Sequence, residues 1–261
     1  MSFPYKHVLL IGATAGIGHA MADRLVQAGV KVTAVGRRKH RLDEFVQKHG
    51  EQLASAVQCD ISILENIPKF AAEIIESYPD VDCLFLNAGI QLPFELDDRG
   101  QFDLMPFNLQ MNVNFTSLVA LTHAFLPFLV AKGSPTSIIF TGSNVAIVPA
   151  APLPAYSASK AALNVFTLCL RDQLQNSNVA VIEISPPPVQ TEIHDYMDEE
   201  TGRKLGMPLD TFTELAFEGL VAGQDQIVIG SIGPAETFNA IIDQRRKAFE
   251  DLANLMRAKQ K

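Results

Sequence analysis

Short, largely apolar runs alternate with amphipathic helical stretches along almost the whole chain, and this alternation constrains the fold more than any other feature. His7-Val8-Leu9-Leu10-Ile11-Gly12 is an apolar run ending in glycine, and a helical pattern follows over 17–28. A β-branched run at 30–35 ends at Gly36, and a helix over 41–49 stops at Gly50. A third run covers 54–58, a helix 67–77, and a fourth run 82–86 closes at Asn87-Ala88-Gly89. Beyond these come a long helix over 110–131, a strand over 137–141, a helix over 157–175, and strands over 179–184 and 226–229. Runs that are apolar throughout belong to strands covered on both faces, and their alternation with helices makes the sheet parallel. The pattern predicts an α/β, doubly wound, Rossmann-like three-layer fold around a seven-stranded parallel sheet. A length of 261 residues, 48% of them hydrophobic, suffices for one such core, so a single domain over 1–261 is expected.

Two connections break the rhythm, 91–108 with its Asp97-Asp98-Arg99-Gly100 turn and 186–211. Loops of that length at the carboxyl ends of parallel strands are lids or binding segments, and a lid is expected over about 190–212. Its polar residues His194, Asp195, Tyr196, Asp198, Glu199 and Glu200 are expected to be mostly solvated. A terminal amphipathic helix over about 235–258, with Ile242, Phe249, Leu252 and Met256 on one side, is a docking helix or an oligomer contact.

The net charge of −8, from 21 basic and 29 acidic residues, argues against a nucleic-acid partner. Cys59, Cys83 and Cys169 lie far apart, without metal or disulfide spacing, which fits three buried small side chains in a reducing compartment. The chain enters its first strand at once, without a leader pattern. The most apolar helical stretch, 118–130, is shorter than a membrane span and carries His123 and Pro127. A cytoplasmic protein with no membrane segment and no metal is therefore expected.

Gly12-Ala13-Thr14-Ala15-Gly16-Ile17-Gly18 joins the first strand to the first helix. Glycines there let the backbone approach a pyrophosphate, and the helix N-terminus supplies free N–H groups. The plain alternative is a structural strand–helix turn. The second strand ends in Gly36-Arg37-Arg38, where an NAD site usually places an acid. Guanidinium groups bind a 2′-phosphate that a carboxylate would repel, so NADP(H) is expected over NAD(H), with Arg37 the first candidate and Arg38 the second. A solvated basic cluster is the alternative. Tyr156-Ser157-Ala158-Ser159-Lys160 places a phenol and an ammonium on one helix face. A nearby ammonium favours the phenolate, bringing a group that titrates near 10 in water toward useful proton exchange. A surface Tyr–Lys pair is the alternative here.

These motifs, with the GxxxGxG rather than GxGxxG spacing, resemble those of the short-chain dehydrogenase/reductase family, over about residues 5–232. The resemblance implies further roles. Ser143, 13 positions before Tyr156, matches the carbonyl-binding serine, and Asn114, 13 before Pro127, matches the asparagine that links the lysine to solvent through water. Asp60 with Ile61 matches the adenine contact, and Asn87-Ala88-Gly89 the turn that borders the adenine ribose. Pro186, Val189 and Thr191 match the segment that embraces the nicotinamide amide. Here the sequence departs from the family, since Pro187 replaces a glycine; the turn is stiffer, with no N–H at 187 or 188, and one bond could be cis. The implied activity is hydride transfer between NADPH and the carbonyl of a small, mainly hydrophobic substrate. That substrate would sit between 90–94, 145–155 and the loop after Thr191. The implied assembly is a homodimer or homotetramer, with Phe166, Leu168 and Leu170 as candidate contacts, although core packing explains some of them equally well. A non-catalytic NADPH-binding regulator on the same fold is the rival reading; an intact Asn–Ser–Tyr–Lys set argues against it.

Overall fold

A computed structural model describes residues 2–93 and 103–259. Seven parallel strands form one sheet: β1 His7–Ile11, β2 Lys31–Gly36, β3 Ala54–Gln58, β4 Cys83–Leu86, β5 Thr136–Thr141, β6 Val179–Ser185 and β7 Gln226–Val228. Their order is β3-β2-β1-β4-β5-β6-β7, the doubly wound sheet expected. The apolar runs explain it. In β1, Val8 and Leu10 face one hydrophobic core while Leu9 and Ile11 face the other. Side chains alternate faces along a strand, so a strand apolar at every position must be covered twice.

The covering helices are α1 Gly16–Gln27, α2 Lys39–His49, α3 Ile67–Ser77, α4 Leu104–Met111, α5 Ser117–Ala131, α6 Pro154–Gln173, α7 Glu199–Lys204, α8 Leu209–Val221 and α9 Ala235–Ala258. Strand order reverses between β1 and β4, and the two halves part at their carboxyl ends, where such sheets bind ligands.

Several boundaries differ from expectation for identifiable reasons. Helix α4 starts at Leu104, inside the connection expected over 91–108; Asp103 caps it by accepting from the Met105 N–H, and Pro106 stands in the first turn, where no N–H is needed. Helix α6 starts at Pro154 for the same reason, which brings Tyr156 into its first turn. Helix α8 fills a stretch assigned no element, packing against α1. The Asp97–Gly100 turn and Phe94 lie outside the described residues.

α4, a π-helical turn at Asn112–Thr116 and α5 form one continuous helix, long and apolar enough by composition to cross a membrane. The 118–130 stretch was expected to fall short of that length. Leu118, Leu121, Phe125 and Leu129 of α5 are fully buried in the core shared with α3, as a core helix requires. Only Cys83 of the three cysteines is fully buried; all three are free.

Candidate functional site

A cavity of about 580 Å³ runs along the carboxyl edge of the sheet. Every candidate catalytic and cofactor-binding residue lines it except Gly18 and Asn114, which stand immediately behind its wall.

At one end lies the glycine turn. Gly12 has φ +90°, and a Cβ there would stand 2.6 Å from the Ala88 backbone, so the first turn and the turn after β4 are in direct contact. Ala15 precedes α1 without a capping side chain, and no acid occupies its first turn. Its N-terminal N–H groups and partial positive charge are left for an anion in the cavity, which is what a dinucleotide pyrophosphate requires. Thr14, Ala15, Gly16 and Ile17 all face that space. Gly18 packs so closely on the Gly12 carbonyl and the Asn87 amide that no side chain fits.

Asn87 ties this end to the chemical end. Its Nδ2 donates to the Gly12 carbonyl at 3.1 Å, and its Oδ1 accepts from Thr141 Oγ1 at 2.9 Å. The Thr141 carbonyl in turn accepts from Lys160 Nζ at 2.8 Å. Asp60 Oδ1 accepts from the Ser62 N–H and hydroxyl, at 3.0 and 2.7 Å, in a turn beside buried Ile61. Burial works to raise the Asp60 carboxyl, but the Ser62 bonds and the nearby Arg37 charge hold it below the usual range.

Arg37 is exposed at the cavity mouth. Arg38 is folded inward: Nε donates to Thr14 Oγ1 at 3.1 Å and Nη1 to Glu192 Oε2 at 2.8 Å. Arg41 Nη1 reaches the Thr14 carbonyl at 3.0 Å and Glu192 Oε1 at 2.6 Å.

At the other end, Tyr156, Lys160 and Ser143 converge, all buried. Burial pushes the Tyr156 phenol up to about 12, with the Ser143 side chain pulling the other way. Burial brings Lys160 down to about 8, opposed by the charge of Glu183. The expectation that the lysine lowers the phenol does not describe this arrangement. Lys160 Nζ sits 5.7 Å from the Tyr156 ring centre and gives its bond to Thr141, so desolvation dominates the phenol. Asn114 stands in the π-helical turn, with Oδ1 accepting from the Ile90 N–H at 2.8 Å and Nδ2 donating to the Ile90 carbonyl and Ser159 Oγ. Its Oδ1 and Lys160 Nζ lie 3.4 and 3.6 Å from the point where a Cβ on Gly89 would stand, so both face one spot.

No peptide bond among the described residues is cis, the Pro186–Pro188 run included. That run is held by its carbonyls, which proline retains: Pro186 accepts from the Asn144 N–H and Pro188 from the Met207 N–H, both at 2.9 Å. With the Val189–Met207 bridge, the last bond staples the base of the loop expected as a lid. As expected, the polar residues of that loop are mostly solvated, with Asp195, Tyr196, Asp198 and Glu200 exposed; His194 is the exception among those described. His194 is buried, with Nδ1 3.2 Å from Gln91 Nε2, and Gln91 also donates to the Tyr196 hydroxyl at 2.8 Å. Asp195 pairs with Arg203, Asp198 caps α7, and Glu200 pairs with Lys204.

Sequence reasoning missed Gln91, Arg41, Glu192 and Glu183. An acid inside the apolar run 179–184 was the available signal for Glu183, which is fully buried, accepts from Asn164 Nδ2 at 2.8 Å, and is raised by that burial. Glu192 carried no such signal, since its partners lie more than 150 residues away. Leu168 and Leu170 are buried within the subunit and Phe166 packs edge-on against Phe115 and Phe140, so these three do not form an exposed contact face.

A family model described as short chain dehydrogenase matches residues 6–202. Among curated proteins, the uncharacterized oxidoreductase DltE of Bacillus subtilis is 33% identical over 230 residues, 87% of this chain and 89% of its own. The NADP-dependent 3-hydroxy acid dehydrogenase YdfG of Salmonella typhi is 32% identical over 214 residues, 82% of this chain and 85% of its own. Among solved structures, the closed form of serine dehydrogenase complexed with NADP+ superposes with a TM-score of 0.77 at 27% identity, covering 87% of this chain and 97% of that one.

Proposed function

The chain belongs to the short-chain dehydrogenase family and is an oxidoreductase, and from that premise we propose that it is an NADPH-dependent reductase. Its substrate would be the carbonyl of a small, mainly hydrophobic molecule, reduced to an alcohol or formed from it in reverse. The observation that carries this reading is one cavity with a pyrophosphate turn and arginines at one end and Ser143, Tyr156 and Lys160 at the other.

A bound NADP(H) supplies or accepts the hydride. Ser143 and Tyr156 hold the carbonyl oxygen by hydrogen bonds, and Tyr156, kept protonated by burial, gives its proton to the alkoxide as charge develops there. Lys160 holds the ribose hydroxyls, and with Asn114, through a water beside Gly89, returns the lost proton. Asp60, Ile61 and the Asn87-Ala88-Gly89 turn border the adenosine, and Pro186, Val189 and Thr191 the nicotinamide. Val145, Ala150 and Leu153 give the substrate chamber an apolar wall. The Gln91–His194–Tyr196 group lends it one polar side, suited to a second polar group on the substrate, such as the acid in the name of the 3-hydroxy acid dehydrogenase relative.

The preference for NADPH is supported by Arg37 and Arg38 standing where an acid would select NADH, and by the NADP named for two of the three similar proteins above, the 3-hydroxy acid dehydrogenase and the serine dehydrogenase. Calorimetry tests it. NADPH is expected to bind at least about tenfold more tightly than NADH, with Arg37→Ala and Arg38→Ala each narrowing the gap by weakening NADPH alone. Equal affinities in the unaltered protein would overturn the preference.

The reading also includes a cytoplasmic homodimer or homotetramer. The free cysteines suit a reducing compartment, and exposed Met105 and Leu109 on α4 with Val165 on α6 offer an apolar face in place of buried Leu168 and Leu170 and half-buried Phe166. Light scattering is expected to give two or four chains per particle; a monomer at micromolar concentration would remove this part of the reading.

A further inference from the structure

Glu192 is an acid that meets two arginines of the basic cluster at the cavity mouth. Its two carboxylate oxygens are divided between Arg38 and Arg41, and both arginines also bond Thr14, at its hydroxyl and its carbonyl. The result is an anion held by two guanidinium groups beside a threonine hydroxyl, at the adenosine end of the cavity that Arg38 and Glu192 both line. That is the donor set a phosphate monoester would take. The acid comes from the first residue after Thr191, on the lid, and not from the turn after β2 that carries Arg38. An ordinary surface ion pair needs no such convergence, in which one carboxylate draws two arginines 151 and 154 residues away in sequence onto the glycine turn.

We propose that the Glu192 carboxylate is an internal stand-in for the 2′-phosphate of NADPH: it occupies the Arg38–Arg41–Thr14 site, must leave it before a phosphorylated adenosine ribose binds, and so sets how strongly the enzyme discriminates NADPH from NADH. Arg41 thereby joins Arg38 as a phosphate ligand. The inference rests on the NADPH reading above. A protein whose binding site is filled by its own group has its affinity for the ligand scaled down to the fraction of time the site is open. Because both arginines are partly exposed and water screens the pair, the expected effect is moderate, about tenfold.

The test uses two probes that differ only in the phosphate, adenosine 2′,5′-bisphosphate and adenosine 5′-monophosphate, titrated calorimetrically into the whole protein and into Glu192→Gln. The glutamine keeps the shape and removes the charge. The expected result is that Glu192→Gln binds the bisphosphate about tenfold more tightly and the monophosphate within about twofold of the unaltered protein. Arg41→Ala is expected to weaken the bisphosphate selectively. If the unaltered protein prefers the bisphosphate and Glu192→Gln leaves both affinities unchanged, the stand-in role is overturned while the NADPH reading survives. If both probes tighten equally, Glu192 acts by holding the lid shut and the proposal fails in that form. If neither protein distinguishes the probes, the NADPH reading itself falls, and this inference with it.

Discussion

Tyr156→Phe is expected to lower kcat for carbonyl reduction roughly a thousandfold while leaving the dissociation constant for NADPH within about twofold. The substitution removes one oxygen from a buried ring at the start of α6, at the cavity wall beside Ser143, and keeps the ring that fills the space. What disappears is the proton donor. The pH dependence of the unaltered enzyme is the second readout. With its phenol pushed up to about 12, Tyr156 stays protonated across the working range and is ready to donate. Lys160, brought down to about 8 by burial, is charged below that pH and loses its charge above it. Reductive kcat/KM is therefore expected to be level through neutrality and to fall above about pH 8. In the oxidative direction Tyr156 must first lose its proton, so that rate should rise with pH over the same interval. A Tyr156→Phe enzyme with more than about a tenth of full activity would mean that the proton comes from elsewhere. Tyr196, whose side chain lines the same cavity, would be the first suspect. Loss of reduction with no activity on any carbonyl in the unaltered protein, despite tight NADPH binding, would instead return the chain to the regulator reading.

What could be read in the sequence, and what could not, follows from how far apart the interacting residues are. β4 and the body of β1 announced themselves because a strand buried on both faces is apolar on both. The glycine turn and the Tyr156–Lys160 pair were legible because their geometry is local: a turn, and one step along a helix. Prolines concealed α4 and the start of α6, since Pro106 and Pro154 read as breaks although both sit where a helix tolerates them. The electrostatics of the site were not legible at all. That Lys160 is bound to the Thr141 carbonyl, that His194 is buried against Gln91, and that Glu192 holds two arginines are consequences of tertiary packing between residues 19 to 154 positions apart.

Gly12→Ala is expected to abolish measurable dinucleotide binding and to lower the unfolding midpoint by about 5–15 °C. Two costs act together. The residue has φ +90°, a conformation that disfavours any Cβ by about 1–2 kcal/mol. The new methyl carbon would also stand 2.6 Å from the Cα and N of Ala88, backbone atoms that cannot swing aside as a side chain would. Overpacking of this kind costs about 1–3 kcal/mol. The strain has a defined route, because Ala88 follows Asn87, which bonds the Gly12 carbonyl and Thr141, and Thr141 holds Lys160. Pushing the two turns apart should therefore loosen the pyrophosphate turn and displace the lysine together. Gly29→Ala is the matched control. It has φ +80° but meets nothing within 4 Å and lies away from the cavity, so it should show the conformational cost alone, about 1–2 kcal/mol, with NADPH affinity unchanged. If the two variants lose stability equally and Gly12→Ala still binds NADPH normally, the contact between the glycine turn and Ala88 has slack, and the close approach of those two turns is not what shapes the dinucleotide site.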